Sequence, residues 1–210
     1  MQSAYEIMET YDGFCNDAIF KVLDAINQIF EYYVVCHGRY HALFVADTVE
    51  YILKSLSYDL RTIELGKIAG LLHDIGCIAG RTNHARLSAA IATVYLDVPL
   101  ILPEERDIMI QAIEDHSGGN AISSAIGAAL LFADKIDCSK KRNLPVEPSH
   151  PRYTEQSDIE DVELNISGKV ITINYITNNE AFCPTKDKRL IKAAEYLGCT
   201  CHFQVNSRDV

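Results

Sequence analysis

Apolar residues recur at helical spacing along the first two thirds of the chain. Between positions 15 and 34 they fall at Ile19, Val22, Leu23, Ile26, Ile29 and Phe30, the i, i+3, i+4, i+7 repeat of a single buried stripe. The same period predicts helices over 42–56, 63–75, 85–96, 108–113 and 122–136. Pro103 followed by Glu104 and Glu105 marks a helix start, because proline fits a first turn and acids favour the positive end of the helix dipole. Ser117-Gly-Gly-Asn120 marks a stop and a turn.

The period changes after position 139. Residues 140–158 carry Pro145, Pro148 and Pro151 among polar and basic neighbours, which reads as a loop or connector. Residues 162–166 and 170–176 are alternating or β-branched, with Ser167-Gly168 between them as a hairpin turn. Residues 187–197 are helical and close at Gly198, and 202–205 form a last strand. The expected fold class is therefore mainly α: a helical domain over 1–143, then 144–210 as a loop and a small β-β-α-β appendage packed on the same domain. The appendage is compatible with lining a pocket, mediating a homodimer or covering the bundle.

Composition narrows the function. At 210 residues and 23.4 kDa the chain can bury a real core without covalent staples. Its seven cysteines are Cys15, Cys36, Cys77, Cys138, Cys183, Cys199 and Cys201. They form an odd set, mostly in apolar stretches and with no secretory leader before them, so a reducing cytoplasm is the expected location. Cys199 and Cys201 have no second pair to complete a zinc site and read as packing. Asp97 and Pro99 interrupt the longest apolar stretch, which leaves no membrane span. A net charge of -10 disfavours a nucleic-acid polymer, whose binding needs a basic face. It leaves open a small phosphorylated ligand held at a local centre of positive charge.

The chemistry gathers in the helical part. Adjacent His73 and Asp74 end the apolar run Ala69-Gly-Leu-Leu, and Asp134 interrupts Leu130-Leu-Phe-Ala. Imidazoles and carboxylates in such places are costly to bury unless they are paired or bind a metal. His41, His84 and His116 also fall near ends of predicted helices.

The order His41, His73-Asp74, Asp134 resembles the H...HD...D signature of the HD superfamily of metal-dependent phosphohydrolases. The local blocks His-Ala-Leu-Phe-Val-Ala (41–46), Leu-Leu-His-Asp-Ile-Gly (71–76) and Phe-Ala-Asp-Lys-Ile-Asp (132–137) are similar to family blocks, and the likeness covers about residues 35–142. His84 and His116 resemble the branch whose motif extends to H...HD...H...H...D. The resemblance implies an HD helical bundle in which His41, His73, Asp74 and Asp134 hold one divalent ion. Asp74, His84 and His116 would hold a second, with Asp74 bridging. Mixed imidazole and carboxylate ligands suit Fe, Mn, Co, Ni or Zn. Two such ions acidify a water and neutralise charge on a phosphoryl group.

The implied activity is hydrolysis of a phosphoester or phosphoanhydride in a small molecule, with a nucleotide as the favoured partner and Asp74 at the catalytic centre. His37, in Cys36-His-Gly-Arg-Tyr-His41, is similar to the general acid of cyclic nucleotide phosphodiesterases; if the helix begins that early, His37 and His41 share a face. Gly38 stands where that pattern has asparagine, and Cys77 stands where many HD relatives carry lysine. Arg81, Lys135, Lys141 and Arg142 are the expected phosphate contacts, Lys141 as a residue on the same helical face as Asp134. Two other classes stay open: a diiron oxygenase with the same ligand set, and a non-catalytic sensor or interaction module that keeps its metals for structure.

Overall fold

The computed structural model describes residues 11–29, 35–117, 121–142, 158–179 and 187–207. The expected helix beyond 29, the turn at 118–120, the connector over 143–157 and Cys183 lie outside them. The helices are α1 Asp17–Ile29, α2 Arg39–Ser55, α3 Leu60–Leu72, α4 His84–Tyr95, α5 Pro103–Asp115, α6 Ala125–Ile136 and α7 Lys188–Tyr196, and the strands are β1 Ile159–Ser167, β2 Val170–Thr177 and β3 Thr200–Asn206. The chain is mainly helical with a small C-terminal sheet, as the two hydrophobic periods imply.

Helix starts are set by side chains that satisfy the first free N–H groups. The Asn16 carboxamide oxygen accepts from Ala18 N and Ile19 N. Asp59 accepts from Thr62 N at 2.9 Å, Ser124 Oγ from Gly127 N at 3.0 Å, and Asp187 from Arg189 N at 2.8 Å. In front of α5 the Glu105 carboxylate reaches back to Leu102 N at 2.9 Å, beside Pro103 in the first turn. Such caps lie upstream of the apolar stripe, which is why α3 begins three residues before Ile63. At its other end α3 stops at Leu72, and Ile75 opens a separate 3-10 turn, Ile75–Ala79. The expected continuous helix to Ile75 is thus broken at His73-Asp74.

α2 and α3 cross closely at Gly70, where a Cβ would stand 2.9 Å from the Ala46 Cα. α6 is buried on nearly every side, through Ile126, Ala129, Leu130, Phe132 and Ala133. β1 and β2 pair antiparallel with Ser167 opposite Val170, so the turn is Gly168-Lys169, one residue later than the sequence suggests. Gly168 has φ +57°, a value glycine adopts without strain. β3 returns parallel to β2 after α7, which gives the sheet order β1-β2-β3. One apolar core takes in Ile159, Ile171 and Ile173 from the sheet, Leu190 and Ala193 from α7, and the helical residues. Among the described residues no helix is long and apolar enough to cross a membrane.

Candidate metal centre

The four ligand-type histidines all sit at helix ends. His41 is in the first turn of α2, His73 ends α3, His84 begins α4 and His116 ends α5. A helix end leaves backbone carbonyls or N–H groups without helical partners, and here that frees groups to orient the rings. The His73, His84 and His116 Nδ1 atoms lie 2.7, 2.8 and 2.6 Å from the carbonyls of Gly70, Arg81 and Ile113, each three residues back. His41 Nδ1 lies 2.7 Å from Asp137 Oδ2. A carbonyl or carboxylate oxygen only accepts, so each Nδ1–H donates and each Nε2 is left for the centre.

The Nε2 atoms meet in two pairs, His41 with His73 at 3.1 Å and His84 with His116 at 3.2 Å. Asp74 stands between the pairs. Its Oδ2 is 3.5 Å from His41 Nε2 and 3.3 Å from His73 Nε2, and its Oδ1 is 3.4 Å from both His84 Nε2 and His116 Nε2. Asp134 Oδ1 joins the first pair at 3.3 and 3.9 Å. Asp74 Oδ1 is buried with no hydrogen-bond donor among the described residues.

Donors about 2.1 Å from one transition-metal ion stand about 3.0 Å apart at right angles and about 3.4 Å apart in a tetrahedron. The observed spacings match these edges, except for the 3.9 Å between His73 and Asp134. A proton could join one such pair of atoms, whereas a cation satisfies the whole set at once. The donor sets that could hold an ion are His41, His73, Asp74 and Asp134, and Asp74, His84 and His116. All of these are buried except His84, which is partly open at the mouth.

The electrostatics ask for positive charge. Burial alone would push the Asp74 carboxyl up, but the surrounding imidazoles, His73 first and then His116, His37 and His41, hold it well below the carboxylate range. Burial likewise opposes ionisation of Asp134, and Lys135, His41 and Arg142 outweigh it. His41 is pulled down by burial and by the Arg142 cation, yet Asp134, Asp137 and Asp74 raise it to about 9. Burial dominates at His73 and lowers it.

No family model matches the chain, and no curated protein does. Among solved structures it is similar to one described as a predicted HD superfamily hydrolase from an uncultured Thermotogales bacterium, at 23% identity, over 57% of this chain and 67% of that one, with a TM-score of 0.45. So slight a likeness adds nothing on activity. The cluster itself is compatible with an HD-type metal site.

The other expected site residues divide. His37 precedes the Gly38 N-cap of α2, so it shares no helix face with His41. It still reaches the centre, with Nδ1 2.6 Å from Asp74 Oδ2, and burial lowers its imidazole to about 4. A third group, His37, Asp74 and Cys77, is also close enough for an ion. There, however, a hydrogen bond already joins His37 to Asp74, and burial holds the Cys77 thiol protonated. Lys135 pairs with Asp134 Oδ2 at 2.5 Å.

Arg142 is buried and donates to the carbonyls of Cys36, Asp137 and Asp134 at 3.0, 2.9 and 3.3 Å, so most of its N–H groups are already engaged. Arg81 is exposed at the edge of a cavity of about 220 Å³ over the cluster, which Lys135 and Arg142 also line. Lys141 is elsewhere: α6 ends at Ile136, and the Lys141 ammonium pairs with Asp161 on β1 at 2.6 Å. The expectation that it lies on Asp134's helical face fails for that reason.

Several residues of the cavity lie outside the expected set, among them Asp137, Asp187 and Arg189. Asp137 lies three residues after Asp134 within 132–137, a spacing that places both on the same side of a helix. Arg189 comes from α7, and no local signal in the sequence connects that helix to the histidines.

Proposed function

We propose that this chain is a metal-dependent hydrolase of phosphoesters or phosphoanhydrides in small molecules, with nucleotides favoured by the HD resemblance. The observation that carries the reading is the convergence of four oriented Nε2 atoms, in two pairs, on the two oxygens of one buried carboxylate. His41, His73, Asp74 and Asp134 would hold one divalent ion, and Asp74, His84 and His116 a second. Such ions supply Lewis acidity and an acidified water.

The residues around them bind and position. Arg81 and Lys135 put positive charge beside the cavity, where phosphoryl oxygens would lie. His37 donates from Nδ1 to Asp74 and so fixes the orientation of that carboxylate, and its imidazole ring lines the cavity. The carbonyl and carboxylate partners of each Nδ1 keep the four rings from turning.

The test is elemental analysis of the purified protein, followed by phosphate release from a nucleotide and phosphoester panel with the metal it carries. Asp74→Ala should lose bound metal and at least about 1,000-fold of the turnover together, as expected for a group shared by both halves of a catalytic centre. Full turnover by a folded Asp74→Ala protein would sink the proposal. Oxygen uptake by iron-loaded protein with no phosphate released from any ester would favour the oxygenase instead.

A further inference from the structure

A larger hollow, about 510 Å³, opens beside α7. Leu131 and Ile122 form its apolar wall, and Lys188, Lys192 and Tyr196 stand around it. It touches none of the histidines, but two structural links carry it to the metal cavity. Arg189 lines both hollows. On α6, Leu131 faces the groove and Lys135 the cavity, one turn apart, about 6 Å along the helix axis.

The charge of the groove runs against that of the protein. Arg189 is already paired with Asp187 at 2.7 Å, which leaves Lys188 and Lys192 facing a single acid there, Glu195, on a chain of net charge -10. Lys188 and Lys192 are four residues apart, on one face of α7, and neither forms an ion pair with a described residue. Two unmatched ammonium groups on one face repel each other, and an anion between them removes that repulsion.

We infer that the α7 groove binds a second anionic group of an elongated substrate whose first phosphoryl group lies in the cavity over the histidines. The ligand class is a linear oligophosphate or its organic ester, with the uncharged part resting on Ile122, Leu131 and Tyr196. A compound with one phosphate fills only the cavity. This rests on the phosphohydrolase reading for the first group, while the groove itself is tested by binding.

The probes are propane-1,3-bisphosphonate and propylphosphonate, which share a carbon chain, resist hydrolysis and differ by one anionic group. Calorimetry on the full chain, with manganese in excess, should show the bisphosphonate binding about tenfold tighter or more. The double change Lys188→Glu with Lys192→Glu should reduce that preference to about threefold or less, and the neutral Lys192→Gln should reduce it part of the way. A double reversal of equal charge on exposed surface elsewhere, Lys54→Glu with Lys169→Glu, should keep the preference.

Equal affinities in the wild type, or an undiminished preference in Lys192→Gln, would overturn the inference. If the preference depends on these lysines but no ester is ever hydrolysed, the hydrolase reading fails and the groove stands as an anion site.

Discussion

Asp137 shows what a single residue outside the ligand set can do. Its carboxylate accepts a hydrogen bond from His41 Nδ1 at 2.7 Å, both groups being buried. It therefore fixes which nitrogen of His41 faces the centre and makes that nitrogen more basic. Asp137→Asn should weaken metal binding by about 10- to 100-fold, the usual effect of losing such a partner, as read by competition with a chromophoric chelator. If Asp137 only supports the fold, the variant will instead lose equal stability with and without metal, and its metal affinity will stay at the wild-type value.

His73, Asp74 and Asp134 were legible in the sequence because they end or interrupt apolar stripes, and His41, His84 and His116 because they fall near predicted helix ends in the order H...HD...H...H...D. Asp137 carries a weaker signal, its spacing of three residues from Asp134. Arg142 was visible as a cation, but its actual work on three carbonyls depends on the path of residues 36–37, which no pattern in the sequence describes.

At the level of elements, helix identity followed from periodicity, and helix ends followed from caps that periodicity does not see. Asp59 is the clearest case. Its hydrogen bonds from Thr62 hold the carboxyl below its ordinary range. A depressed folded pKa adds stability that is complete above the unfolded value, near 4, and fades as pH falls through the folded one. Asp59→Ala should therefore cost about 1 kcal/mol at neutral pH, a Tm drop of about 2–4 °C, and the gap to wild type should narrow in acid. A gap that stays constant down to pH 2 in thermal melts would contradict this.

Gly76 ties the 3-10 turn to α4. A Cβ there would lie 2.4 Å from Ser88 N and 2.6 Å from the His84 carbonyl oxygen, which are backbone atoms that cannot swing aside. Gly76→Ala should cost about 1–3 kcal/mol by overpacking and should also disturb His84, lowering the metal content per chain. Unchanged metal content and Tm would show that α4 can shift without penalty. The hairpin turn was misplaced by one residue because β pairing, not the glycine, decides where the strand ends.

Across the whole molecule, the candidate centre joins α2, α3, α4, α5 and α6, so metal binding should be felt as global stability. At free metal about 1,000 times its dissociation constant, linkage gives about 4 kcal/mol. For a chain of this length that corresponds to about 8–16 °C in Tm. Treatment with a chelator should lower Tm by that amount and metal should restore it; a chelator-insensitive melt would count against a bound ion. The joining of α7 to this region was the part least legible from sequence. It depends on packing across more than fifty residues of chain, from Lys135 to Arg189, and the strand pattern between them does not say where α7 docks.

Asp74 gives one oxygen to each half of the cluster. A carboxylate divided in this way has one negative charge for two claimants. If both halves held a cation, as proposed, two like charges would share that one carboxylate and repel each other. Loading is then expected to be stepwise and anti-cooperative: mild depletion yields a population with single occupancy before bare protein accumulates, and the half richer in carboxylate, with Asp134, keeps its ion longest.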